Sequence, residues 1–275
     1  MSFPFTVRLF LDGGNELDFI VSTWNALLNS YITGWSIIGK TVGDWFIGIW
    51  EAIDKALIRE NRYEFYLSGI GNTLLISLFA VMLGFLIGAF VAVIKQLCSK
   101  KRGLGWIAKI CDLYVFVIRG TPVLVQLLLI NAVLFNYRGA NAIVAAVMCF
   151  GINSGAYVAE IVRAGIESID KGQTEAGRSL GLGAGQTMWL IVLPQAIKNI
   201  LPALGNEFIV LVKETSIAGY IAVTDITKAA QYIGSKTYDI ITPLLIAAAF
   251  YLILVFILTK LQKLLERRLG KSDRR

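Results

Sequence analysis

The chain has 275 residues, 56% of them hydrophobic and only 16% charged, with a mean hydropathy of +0.66. That balance excludes an ordinary soluble domain, and uncharged runs such as 65–94 and 240–259 are long enough to cross a bilayer core of roughly 30 Å. The net charge of +7 sits beside the ends of those runs. This placement marks a cytoplasmic face that attracts anionic lipid and argues against a nucleic-acid partner.

Cys98, Cys111 and Cys149 form an odd, unpatterned set, which gives no disulfide framework and no Cys-x-x-Cys metal site. Histidine is absent, which removes His-based triads, proton shuttles and the commonest metal ligand, so no metal site is expected. The opening MSFPFTVRLFLDGGN lacks a basic n-region and a long h-region and is read as carrying no cleaved signal peptide.

In chain order, residues 19–58 come first. Trp24, Leu28, Tyr31, Trp35, Ile38, Val42, Trp45 and Ile49 recur at steps of three or four and form one stripe of a helix. Four of the six tryptophans, Trp24, Trp35, Trp45 and Trp50, lie here, the composition of a helix in the headgroup layer. An in-plane segment is expected, with a weak extra span as the alternative. The string Gly34-Trp35-Ser36-Ile37-Ile38-Gly39-Lys40-Thr41 fits G-x-x-x-x-G-K-[ST], which carries meaning only between a strand and a helix of an α/β domain. Its flanks read as amphipathic helix, so it is taken as coincidence and the chain is expected not to be its own ATPase.

The first core span is expected over 66–94. Its Gly84-x-x-x-Gly88 either lets helix backbones approach closely or reflects how common glycine is in membrane helices. A basic turn follows, with Lys95, Lys100, Lys101, Arg102 and then Lys109. Residues 104–136 are too long for one straight helix, and Arg119-Gly120-Thr121-Pro122 breaks them. This predicts an interfacial stretch at 104–118 and a second span at 121–136. Asn136-Tyr137-Arg138-Gly139 is the outer turn, and 141–162 the third span. A polar loop covers 163–194, a fourth span lies within 197–222 with an interruption at 213–216, and a fifth covers about 239–260. The tail is basic, with Lys260, Lys263, Arg267, Arg268, Lys271, Arg274 and Arg275 against Glu266 and Asp273. Five spans put the start of the core outside and its end inside, in agreement with the basic clusters.

Two polar features stand out. The first is Glu175-Ala176-Gly177-Arg178-Ser179-Leu180-Gly181, then nine residues, then Ile191-Val192-Leu193-Pro194. It reads as two short helices, the first stopped by Gly181 and Gly183, the second turned toward the membrane at Leu193-Pro194. Small Ala176 and Gly177 would let a partner approach, with Glu175 and Arg178 as charged contacts. The bland reading is an ordinary solvated loop. The second feature is intramembrane charge: Glu160, Glu207, Lys213 and Glu214. Asn153, Ser154, Tyr157 and Glu160 share one helix face, a candidate substrate path. Alternatively, Lys213 and Glu214 pair with each other or with a partner subunit.

The first feature resembles the EAA loop of ABC importer permeases, with Gly177 where the motif has Ala. Further segments resemble the polar amino-acid subfamily: Asn72-Thr73-Leu74, Arg119-Gly120-Thr121-Pro122 with Leu124-Val125-Gln126, Ser154-Gly155-Ala156-Tyr157-Val158-Ala159-Glu160 with Gly155 inserted, Lys171-Gly172-Gln173, Asn206-Glu207-Phe208 and Lys213-Glu214-Thr215-Ser216. The likeness covers about 63–262 and not the first 60 residues.

The resemblance implies an all-α bundle of five core spans, preceded by an amphipathic segment at 1–62 and followed by a cytoplasmic tail at 263–275. It implies import of an amino acid, polar or charged, through the cytoplasmic membrane. ATP would be bound and hydrolysed by separate subunits that grip Glu175, Ala176, Gly177, Gly181, Ile191, Leu193 and Pro194, with no cofactor in this chain. Partners would be those ATPases, an outer solute-binding protein and a second permease subunit, identical or not. Substrate contacts would come from Asn153, Ser154, Tyr157 and Glu160, with Glu207 and Glu214 after the loop. The rival readings are a secondary carrier, which usually shows repeats and more spans, and a membrane scaffold or sensor that recruits an ATPase without conducting.

Overall fold

A computed structural model describes residues 16–99 and 103–271. Residues 1–15 at the start, Lys100, Lys101 and Arg102 of the expected inner turn, and Asp273, Arg274 and Arg275 of the tail lie outside the described residues. The described chain is helical throughout, without a strand. It divides into two units after Lys55.

The first unit contains one element, α1 (Glu16–Ile53), a single helix of 38 residues. Gly34–Thr41 is an uninterrupted part of it. The backbone amides that a phosphate loop would offer are therefore committed to the helix.

A π and 3-10 link at 54–61, in which Glu60 and Asn61 adopt positive φ, carries the chain across this boundary into the second unit. It continues through α2 (Tyr63–Ser99), α3 (Gly105–Gly120), α4 (Val123–Leu134) and α5 (Ala142–Glu167). Then come α6 (Lys171–Ser179), α7 (Ala184–Thr187), a π turn (Met188–Val192) and α8 (Leu193–Glu214). A 3-10 turn (Thr215–Ile221), α9 (Ile226–Thr237) and α10 (Ile241–Lys271) complete it.

Four helical stretches are long and apolar enough to cross a membrane: Tyr63–Cys98, Ala142–Glu167, Ala184–Ile221 and Ile241–Arg268. A fifth crossing exists only if α3 and α4, bent by 107° at Thr121-Pro122, are counted together. The second span expected at 121–136 can therefore be met only by the bent pair α3 and α4 together, not by α4 alone. The 12-residue α4 reaches about 18 Å at 1.5 Å per residue, too short for the core of a bilayer. Pro122 cannot continue α3, and both Thr121 and Pro122 are extended, so the chain turns sharply there.

The spine of the bundle is α2 against α5, and glycine makes it close. A Cβ on Gly84 would lie 2.8 Å from Oγ of Ser154, and one on Gly88 would lie 2.6 Å from Cβ of Val158. In return, Gly151 and Gly155 of α5 receive Leu83 and Ile87 of α2. Gly84-x-x-x-Gly88 is thus a packing device, the first of its two sequence readings. Around it lie Ile76, Ala80, Leu127, Ala145, Ala146, Cys149, Phe150 and Leu211, all buried.

One end of the bundle, where α2 and α10 start, is closed by α9, which the sequence reading did not anticipate. Asp225 caps α9, accepting from Thr227 N at 2.8 Å and Lys228 N at 3.1 Å, while Tyr251 donates to it at 3.1 Å. Burial pushes the Asp225 carboxyl above its ordinary value, against the pull of those hydrogen bonds. Gly69 lets α2 meet the Asp225 backbone, and Asn72 donates to Thr224 O at 2.8 Å. At the opposite end, Val158 and Val162 of α5 pack on Ala196 and Ile200 of α8.

Candidate coupling segment and polar path

The segment between α5 and α8 is built by local rules. Asp170 caps α6, its Oδ1 accepting from Gly172 N at 2.7 Å. Gly181 ends the helix at φ +86°, with Gly181 N bonded to Arg178 O at 3.0 Å and Leu182 N to Gly177 O at 3.2 Å. This pair of bonds around a left-handed glycine is the Schellman stop. Gln186 then returns its Oε1 to Gly183 N at 2.8 Å, starting α7.

The residues of the motif divide by face. Glu175, Ala176 and Arg178 are exposed, and beyond them so are Leu180, Trp189 and Leu190. Gly177 is buried, and a Cβ there would meet Ile191 Cδ1 at 2.7 Å and Thr187 Cγ2 at 2.8 Å. Its small size serves the packing of α6 on the following turn of this chain, whereas the sequence reading had it admitting a partner. Gln195 ties the segment further, donating to Gln173 Oε1 at 3.3 Å and Ile191 O at 2.9 Å.

A second correction concerns Leu193-Pro194. The chain does not turn there; helix continues from Ala184 to Ile221 as one apolar stretch. The π turn explains this. Leu193 N reaches back five residues to Met188 O, and Pro194 enters the first turn of α8, where its missing N–H is tolerated. The second half of the motif, Ile191 to Pro194, is thus part of the same continuous helix as the fourth span.

The polar face of α5 is occupied by bonds within the chain. Asn153 is buried and donates to Gln126 Oε1 at 2.9 Å. Gln126 in turn donates to Ile118 O at 2.8 Å and Thr121 Oγ1 at 2.7 Å, so the two side chains fasten the bend between α3 and α4. Ser154 donates to Glu207 Oε1 at 2.8 Å, joining α5 to α8. The Arg119 guanidinium stands 5.1 Å from the centre of the Tyr157 ring. Glu160 accepts from Arg163 at 2.7 Å and lies 4.0 Å from Arg119. Arg163 also reaches Glu167 at 2.6 Å, and Lys95 pairs with Asp112 at 2.5 Å across α2 and α3.

The structure therefore brings Ser154 to Glu207 and Glu160 to two arginines. Glu160 lines two cavities, one with Lys95, Gln96, Arg163 and Glu167, the other with Asp112 and Arg119. Glu214 lies two turns beyond Glu207, half-buried at the end of α8. Sequence reasoning missed Gln126 as the partner of Asn153; only the fold brings the two together.

The pattern of the binding-protein-dependent transport system inner membrane component family matches residues 84–271. The arginine transport system permease protein ArtQ of Bacillus subtilis (strain 168) is 41% identical over 214 residues, 77% of this chain and 95% of ArtQ. A putative glutamine transport system permease protein GlnP of Rickettsia bellii (strain RML369-C) is 40% identical over 207 residues, 74% of this chain and 93% of that protein. A chain from the crystal structure of an amino acid ABC transporter with histidines superposes with a TM-score of 0.69 at 45% identity, covering 75% of this chain and 94% of that one. The MetNI methionine ABC transporter in an inward-facing conformation shares the fold, with a TM-score of 0.64 at 20% identity, over 77% of this chain and 99% of that one.

Fold and likeness together define an integral-membrane transport protein. The chain belongs to the binding-protein-dependent transport system inner membrane component family and is the permease subunit of an ABC importer.

Proposed function

We propose that this permease carries an amino acid, polar or charged, inward across the cytoplasmic membrane as one half of a permease dimer. Separate ATP-binding subunits dock on the exposed face of α6, and a solute-binding protein delivers substrate at the end closed by α9. ATP is bound by those partners, and this chain needs no cofactor and has no nucleotide site of its own. The observation that carries the reading is the coupling segment. It offers a solvated, charged face at Glu175 and Arg178 on a helix stopped by Gly181, which packs through Gly177 on Thr187 and Ile191 of the stretch continuous with α8. A push on α6 reaches Glu207, and through the Ser154 bond reaches α5. Closure of the ATPases can bias the permease only through such a difference between states.

Reconstitution with candidate ATPase and binding proteins, followed by uptake of labelled amino acids, tests this. Glu175→Arg is expected to abolish substrate-stimulated ATP hydrolysis and uptake while the permease stays folded. Normal transport by that variant would remove α6 as the docking face.

A further inference from the structure

The first unit has no part in that account, yet its helix is built with regularity. Asp18, Asn29, Lys40 and Glu51 recur every eleven residues, and Ser22, Thr33 and Asp44 follow the same interval. Eleven residues make three turns at 3.67 residues each, close to the ideal 3.6, so the polar stripe drifts by only about 20° per repeat. It stays on one side of α1 along the whole helix, with Asn25 and Ser36 within it. The opposite half carries Ile20, Val21, Trp24, Leu28, Tyr31, Trp35, Val42, Trp45 and Ile49 and no charge. Those side chains are exposed, Trp24 by 63% and Trp45 by 61%.

We infer that α1 lies in the plane of the membrane, its aromatic half sunk into the headgroup boundary and its polar stripe facing water. Four observations select the bilayer as occupant of the apolar half. The helix ends at Ile53, three residues before Ala56, which is fully buried against Tyr66 at the start of the span α2. The covalent chain thus holds the end of α1 at the membrane boundary. Its 38 residues extend about 57 Å, nearly twice the thickness of a bilayer core.

The helix is also absent from those apolar enough to cross. As a span, even its uncharged stretch 19–39 would sink Asn25, Asn29, Thr33 and Ser36 into hydrocarbon. Finally, tryptophan and tyrosine favour the interface, where a ring is half buried. The hydroxyls add no demand, since Thr33 donates to Asn29 O and Thr41 to Ile37 O within the helix. The stripe carries Asp18, Asp44 and Glu51 against Lys40 alone, so binding is driven by apolar burial and not by anionic lipid. That α1 lies on the outer leaflet rests on the topology proposed above.

Single cysteines placed along 18–51 in the full-length chain, with Cys98→Ala, Cys111→Ala and Cys149→Ala, spin-labelled and reconstituted with the partner subunits, test this. Collision with dissolved oxygen is expected to peak at positions 21, 24, 28, 35, 42, 45 and 49, and collision with an aqueous nickel chelate at 22, 25, 29, 33, 36 and 40. All oxygen maxima should lie at one depth, about 5–10 Å below the phosphates. The pattern should be the same in phosphatidylcholine and in mixed phosphatidylcholine–phosphatidylglycerol vesicles.

A depth that deepens to the middle of the helix and becomes shallow again would make α1 a span and overturn the inference. Exclusion of both probes from positions 24, 35 and 45 would mean that protein covers the face, and would overturn it equally. An impermeant thiol reagent that reaches position 29 only from the cytoplasmic side, with the depth profile intact, would overturn the topology and leave the in-plane placement standing.

Discussion

Glu160 holds Arg163 at 2.7 Å and stands 4.0 Å from Arg119, which belongs to the helix just before the bend at Thr121. A carboxylate shared in this way positions two elements before it can greet a substrate. Glu160→Gln is therefore expected to lower uptake of lysine, glutamine and glutamate by the same few-fold factor, in line with about 1 kcal/mol for a half-exposed pair. A loss confined to lysine would make Glu160 a substrate contact instead. Asp225 is the other charged residue whose surroundings make a definite demand. Asp225→Ala removes the cap of α9 and should cost about 1–2 kcal/mol, whereas Asp225→Asn keeps a cap and should cost less.

The pH dependence of that site has a fixed sign. Burial raises the folded-state pKa of Asp225, so its contribution is fullest below the unfolded carboxylate range and declines as pH rises through the folded value. Melting of wild type minus that of Asp225→Asn, followed from acid to neutral pH, should fall; a rise would reverse the assignment.

Helices interact here through the space left by small residues, and that was only half legible. Gly84 and Gly88 announced a close approach without naming the partner, because any neighbouring span would satisfy the pattern. Helix α9 had a readable signature, Asp225 as cap with Ile226, Ala229, Ala230 and Ile233 at helical spacing. Lodged between two strongly apolar spans, it was passed over as connection. The opposite error occurs at Pro194, where a proline read as turning the chain toward the membrane is absorbed by a π turn that only the backbone reveals. At Gly177 a small residue is legible, but the neighbour it makes room for is not. Gly177→Ala, which restores the usual residue of the motif, should lower coupling only modestly: the tip of Ile191 can move, but Thr187 Cγ2, 2.8 Å from the added Cβ, must also give way. Gly177→Leu should push α6 off the following turn and uncouple ATP hydrolysis from uptake although Glu175 remains in place. Equal activity of both variants in the reconstituted complex would show that the α6 packing is immaterial.

Across the whole molecule, composition and charge placement were enough to define a helical membrane protein, since the cost of burying backbone in lipid leaves few alternatives. The number of crossings was less accessible. It depends on whether α3 and α4, bent by 107°, count as one, and no hydropathy window expresses an angle. Nor could spacing alone assign Asn153 to Gln126 or Ser154 to Glu207, since those bonds join residues 27 and 53 positions apart. The proposed topology has a direct check. A cysteine at position 138 should be labelled from outside and one at position 178 from the cytoplasm, and the reverse pattern would invert the chain in the membrane.

The π turn at Met188–Val192 gives the coupling segment an unusual genetics. A π turn is a helix with one residue to spare, and here the surplus lets Pro194 stand near the head of a continuous span. Deleting one residue of the turn would force the proline ring into regular helix, against the carbonyl four places before it. Replacing Pro194 alone would leave a surplus residue with nothing to accommodate. Each change should therefore be harmful alone, while the two together should heal into an unbroken helix. That healed helix would still present α6 rotated by about 100°, one residue's worth of turn. Such a double variant would sit stably in the membrane and be deaf to ATP, and lineages that lose the proline should be found to have lost the extra residue with it.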